Sequence, residues 1–271
     1  MSTAVTNKRR PLIYAIVMTI GFIFLQNLLQ TLPEQYFLTG VLFLYPMLIF
    51  ELLTTRYNAQ LLLKQYSLPP ISENKESVSH LVHHVILPSL IYFSSVSFLF
   101  FHRQPSLQPF LTIGVFFIYW ILFTNIRAFY EDKFKLELYT HNIYDIITTL
   151  SAFFSFVSII NIFKSNQFNL LFIFIPLTAI FLLLYHLIVV RYQVHLSLAV
   201  KFLIGILFAA GTLIVSYSGL NELDAGFILT EVFYFTFAIT LHYHDGSANL
   251  KIISEYIIIF TLSIVLLLGV T

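Results

Sequence analysis

Apolar runs long enough to cross a bilayer alternate with short polar breaks along nearly the whole chain. Scanned with a window of about 19 residues, the pattern predicts helices over 12–32, 35–55, 80–102, 109–128, 140–162, 168–190, 196–217, 225–242 and 250–270. The fold class that follows is all-α, a polytopic transmembrane helical bundle of nine spans. Eight is the alternative count, because spans one and two, six and seven, and eight and nine are closely joined. No internal repeat or water-soluble module interrupts the pattern, so residues 1–271 read as a single integral membrane domain. Lys8-Arg9-Arg10 precedes the first span and no small-residue cleavage site follows it, the pattern of a retained signal-anchor.

Lysine and arginine positions orient the bundle. With a cytoplasmic amino terminus, the inner segments hold Lys8, Arg9, Arg10, Arg56, Lys64, Lys75, Arg127, Lys133, Lys135, Arg191, Lys201 and Lys251, and the outer segments only Arg103 and Lys164. That imbalance fits the excess of cations on cytoplasmic loops and supports the odd span number. Pro46, Pro88 and Pro176 fall within spans, where each removes a backbone donor and tends to kink its helix. Between spans two and three, residues 58–66 have the composition of a segment lying along the inner interface, ahead of Leu68-Pro69-Pro70.

Composition changes the picture by exclusion. Charged residues make up 10% of the chain against about a quarter of an ordinary globular protein, so lipid replaces water as the main solvent. A net charge of +1, with no basic block longer than Lys8-Arg9-Arg10, argues against a nucleic-acid partner. The absence of cysteine rules out disulfides, thiolate metal sites and cysteine nucleophiles. No glycine-rich phosphate loop, zinc-protease helix pair or nucleophile-elbow serine is present.

The candidate chemistry lies in the histidines, eight of which fall on the inner side of the predicted topology and one, His102, on the outer. His80, His83 and His84 open span three at spacings that share a helix face. His141 and Asp145 are four apart at the start of span five; His186 ends span six; His242, His244 and Asp245 end span eight. Imidazoles with a few carboxylates suit iron, zinc or copper, and equally a proton relay. The competing reading is that the inner loops are longer, so mildly polar histidines gather at helix ends without chemistry; His102 and His195 fit that reading best. Among the acids, Glu231 lies deepest, within span eight, and is the candidate buried carboxyl. Glu51 and Glu255 lie near the inner boundary and read as snorkelling residues, with Lys201 able to pair with Glu255.

His80-Leu81-Val82-His83-His84 resembles the His-x-x-His-His box of the membrane fatty-acid hydroxylase and desaturase superfamily. The resemblance covers five residues; the second box and the earlier spaced pair of that superfamily do not occur here. It implies His80, His83 and His84 as ligands of non-haem iron, and O₂-dependent oxidation of a lipid or isoprenoid. The expectation is therefore a multi-pass enzyme of the plasma membrane or bacterial inner membrane acting on a membrane lipid or apolar small molecule. His80, His83, His84, His141, His186, His242 and His244 are its candidate metal ligands, and Asp145, Asp245 and Glu231 its candidate catalytic groups. The alternatives are a proton- or cation-coupled transporter using the same histidines and Glu231, and a structural subunit whose histidines do no chemistry.

Overall fold

The computed structural model describes residues 10–65, 75–131, 138–166, 168, 172–192, 194, 197–247 and 249–270. The described residues form α1 (Arg10–Thr31), α2 (Glu34–Gln65), α3 (Lys75–Phe101), α4 (Gln108–Glu131), α5 (Leu138–Ser165), α6 (Phe174–Arg191), α7 (Leu198–Tyr217), α8 (Glu222–His244) and α9 (Leu250–Val270), with no strand among them. Seven of these helices, α1, α2, α4, α5, α6, α7 and α8, are long and apolar enough to cross a membrane by length and composition. Shorter apolar stretches, Val85–Phe101 and Ser254–Ser263, lie in α3 and α9. The protein is thus an all-helical, multi-pass membrane protein. The helices fall into two compact units, residues 1–147 and 148–271, each described by itself below.

In the first unit α1 packs along α4 and against α2. The buried positions of α1, Ala15, Met18, Phe22, Leu25 and Leu29, alternate spacings of three and four, the seam that lets two helices run side by side. Phe37, Val41, Leu44, Leu48 and Leu52 line one face of α2 at spacings of three or four. At Gly40 the helices come so close that a Cβ would lie 2.8 Å from Leu25 Cδ2. The opposite faces carry exposed Ile13, Ile20, Phe24, Leu42 and Phe43, which would be untenable in water and are ordinary against lipid tails.

Polar side chains within these helices mostly turn back on their own backbone. Thr19 donates to the Ala15 carbonyl at 2.7 Å, Ser89 to Val85 at 2.7 Å and Thr124 to Trp120 at 2.7 Å. Asn125 donates to Ile121 at 2.8 Å, bonding within its own helix. Gln26 reaches across instead, donating to Thr112 Oγ1 at 3.0 Å and to the Gln108 carbonyl at 3.3 Å on α4. Glu51 differs from the snorkelling expectation. It is 4% exposed and accepts from Arg10 Nη2 at 3.1 Å, because the packing of α1 against α2 brings the first residue of α1 beside the middle of α2.

The second unit is built on an aromatic centre. Phe181 of α6 stacks on Phe208 of α7 at 3.9 Å, meets Phe233 of α8 edge-on at 5.8 Å, and lies parallel to Tyr185 at 5.8 Å. Phe156 of α5 closes on Phe208 at 5.4 Å. Offset and edge-on rings of this kind gain beyond the area they bury. The span starting at Phe174 also changes the role of Pro176, which falls in the first turn of α6, where a missing N–H breaks no helical bond. Ser197 caps α7 through Val200 N, and Asn221 caps α8 through Asp224 N at 2.9 Å.

Gly226 on α8 faces α5 so closely that a Cβ there would run into Val157 Cγ2 and come within 3.2 Å of the Val157 backbone nitrogen. Close approach through a small residue is a main source of helix association in lipid. Gly226→Leu should lower stability by about 1–3 kcal/mol through overpacking. Gly114→Ala, where a Cβ meets nothing within 4 Å, should change it little. Thermal unfolding of the two variants in detergent, compared with the parent, measures the difference.

Candidate functional site

Helical spacing places Glu231, Tyr234, Phe235 and His242 along one side of α8, and Glu255, Tyr256 and Ile259 along the facing side of α9. Between them lies a cleft of about 540 Å³ lined by those seven residues. Exposed Tyr234 and Ile259 mark where it opens laterally. Glu231 stands near the middle of α8 and makes no hydrogen bond or ion pair among the described residues. Glu255 stands in the early turns of α9. At a rise of about 1.5 Å per residue, the antiparallel helices set the two carboxyls roughly 12 Å apart in depth.

Tyr256 occupies the ground between them. Its ring lies 6.5 Å from Tyr234, 6.4 Å from Phe235 and 5.8 Å from the His242 imidazole. His242 Nε2 is 3.4 Å from the Tyr256 hydroxyl, and its Nδ1 is 2.9 Å from Ser247 Oγ. One end of the cleft is therefore bridged from α8 to α9 by an imidazole held on both nitrogens. Ser247 owes its position to the turn that stops α8. Ser247 N donates to the His242 carbonyl at 3.0 Å and Gly246 N to that of Tyr243 at 3.2 Å, with Gly246 at φ +66. That bond pair with a left-handed glycine is the Schellman termination, and Asp245 sits at its C-cap.

The remaining sequence-derived candidates fall elsewhere. His186 is exposed on α6, and His244 and Asp245 are exposed at the end of α8. Asp145 is half-buried in the first turns of α5. The backbone of His80, His83, His84 and His141 is helical, in α3 and α5, but their side chains, like His195, lie outside the described residues. His102 is buried, with Nδ1 3.1 Å from the Phe98 carbonyl and its ring stacked on Phe98 at 4.2 Å. Among the described residues no three His, Asp or Glu side chains come together as a group able to hold a metal ion.

A family model matches residues 55–270, a stretch that contains all of α8 and α9. The chain belongs to the DUF5656 family. The family is described as protein of unknown function. Comparison with curated proteins and with solved structures found no match. In this DUF5656 member, histidine counting led to His242, and depth in the span led to Glu231. Tyr234, Phe235, Tyr256 and Glu255 were missed as a set. Their signal, on α8 alone, was the spacing of three and four from Glu231 to Tyr234 and Phe235, which aligns acid and rings on one helix face.

The Schellman turn generates a direct expectation. Gly246→Ala puts a Cβ on a left-handed residue, a cost of about 1 kcal/mol, and should loosen the end of α8. Hydrogen–deuterium exchange should then rise at the Gly246 and Ser247 amides and stay unchanged around Phe233.

Proposed function

We propose that this protein is a proton- or cation-coupled membrane carrier whose coupling group is Glu231 in the α8–α9 cleft. The observation that carries the reading is the placement of that acid: midway along a membrane-crossing helix, facing a cavity and without an ion-pair partner among the described residues. A charged side chain at such depth costs about 2.5–3.5 kcal/mol on insertion scales, and a carboxyl bears that cost where it serves a substrate or ion path. Proton or cation exchange at Glu231 relieves it in either state. The His242–Tyr256 contact stands on the line from Glu231 to the helix end and supplies a relay or a gate.

The chain crosses the membrane nine times in this reading, with the amino terminus in the cytoplasm. Support comes from the twelve-to-two cation distribution. The bacterial inner membrane or a plasma membrane is the corresponding location.

In proteoliposomes carrying a pH gradient, the protein should mediate cation-dependent proton movement. Glu231→Gln, which keeps shape and removes charge, should abolish it. Uptake that survives the substitution defeats the carrier reading. A second reading, a histidine-ligated non-haem iron oxidoreductase acting on a lipid, is supported by the unbroken helical backbone of α3 through 80–84, which keeps His80 on a shared face with His83 or His84. It expects about one or two transition-metal ions per chain by metal analysis, reduced by His83→Ala; a purified protein that neither holds nor takes up iron rules it out.

A further inference from the structure

We infer that the α8–α9 cleft binds an amphiphilic organic cation, a positively charged nitrogen or phosphorus centre carrying an apolar body. The inference rests on the reading of this cleft as the ligand-handling site and adds the class of ligand. Charge comes first: among the described residues the lining holds Glu231, Glu255 and His242 and no lysine or arginine, so any net charge they carry with neutral imidazole is negative. Size comes second. A bare ion needs a few oxygens converging within one coordination sphere, whereas the two carboxyls sit at depths roughly 12 Å apart, and no metal-holding group forms among the described residues. A volume of about 540 Å³ is that of a small-molecule pocket.

The lining completes the match. The rings of Tyr234, Phe235 and Tyr256 lie between the two acids, and aromatic faces attract organic cations. Glu231 takes the cationic centre at mid-depth while the apolar body lies against the rings and Ile259. Glu255, exposed on α9, draws cations toward that end of the cleft. The lateral opening at Tyr234 and Ile259 suits a ligand that arrives dissolved in lipid. Binding to the protonated acid balances as an exchange: the Glu231 carboxyl releases one proton to the medium and the carboxylate pairs with the incoming cation.

Tetraphenylphosphonium and tetraphenylborate, nearly identical in shape and opposite in charge, test the inference. With the full chain in lipid nanodiscs, calorimetry corrected for empty nanodiscs should show saturable binding of tetraphenylphosphonium, with about one proton released per cation bound to a protonated acid. Tetraphenylborate should bind more than about tenfold more weakly, and Glu231→Gln should weaken the cation by more than about tenfold. Tyr256→Ala, an independent variant that keeps the charge, should weaken it roughly fivefold, and Tyr256→Phe, which keeps the ring, hardly at all. Each variant is compared only after its helix content and elution volume match the parent. Absence of saturable binding, equal binding of the two ions, or binding unaltered in Glu231→Gln overturns the inference. Glu231-dependent proton flux driven by sodium or potassium, without tetraphenylphosphonium binding, leaves the carrier reading standing and removes this one. Glu231-dependent binding without flux does the reverse.

Discussion

Lipid tails offer no hydrogen bonds, and that single constraint organises the protein. Every backbone donor and acceptor within the hydrocarbon must be satisfied by the protein itself, and the described residues meet that demand with long helices and no strands. The same rule disciplines the side chains. Hydroxyls and amides along the spans return to the carbonyl one turn back, as at Thr19, Ser158, Thr212 and Thr236. Many of the described polar side chains in these helices therefore find their partner in their own helix. Groups that escape this economy stand out against it.

Two kinds of escape are present. In one, polar groups join helices: Gln26 ties α1 to Gln108 and Thr112, Arg10 meets Glu51, and Tyr185 meets Thr240 at 2.6 Å. Such contacts hold helices in register where apolar packing alone discriminates weakly, since lipid is as apolar as the side chains it competes with. In the other, a polar group faces a cavity without a partner among the described residues, and Glu231 is the example. The contrast between Glu51 and Glu231 is instructive, because both are single acids in apolar runs. Glu51 lies within reach of Arg10 at the start of α1, and Glu231 lies midway along α8 beside open space.

How far the site was legible in the chain depends on what kind of signal each residue emits. Glu231 was legible because depth within an apolar run is a property of the sequence. His242 was legible by type but not by role: it was a candidate metal ligand at the end of span eight, whereas the Schellman turn carries Ser247 to its Nδ1 and leaves Asp245 at the C-cap. Tyr256 and Glu255 were hidden, because an aromatic or an acid close to a span boundary looks like an interfacial anchor until a facing helix is known. Pro176 shows the same limit in backbone terms, since a shift in where α6 starts turns an expected kink into a first-turn residue.

Taken alone, the chain determined the helical class, the positions of the apolar runs and the asymmetry of charge. These follow from hydropathy and length, which act locally and need no partner. Only tertiary structure decided that Gly226 is a point of contact with α5, that Phe181 is the centre of the second unit, and that Glu231, Tyr256 and Glu255 share one cleft. Those facts depend on which face of one helix meets which face of another. Helix pairing in lipid is set by shape and by a few polar contacts between residues far apart in sequence, and no local pattern encodes it.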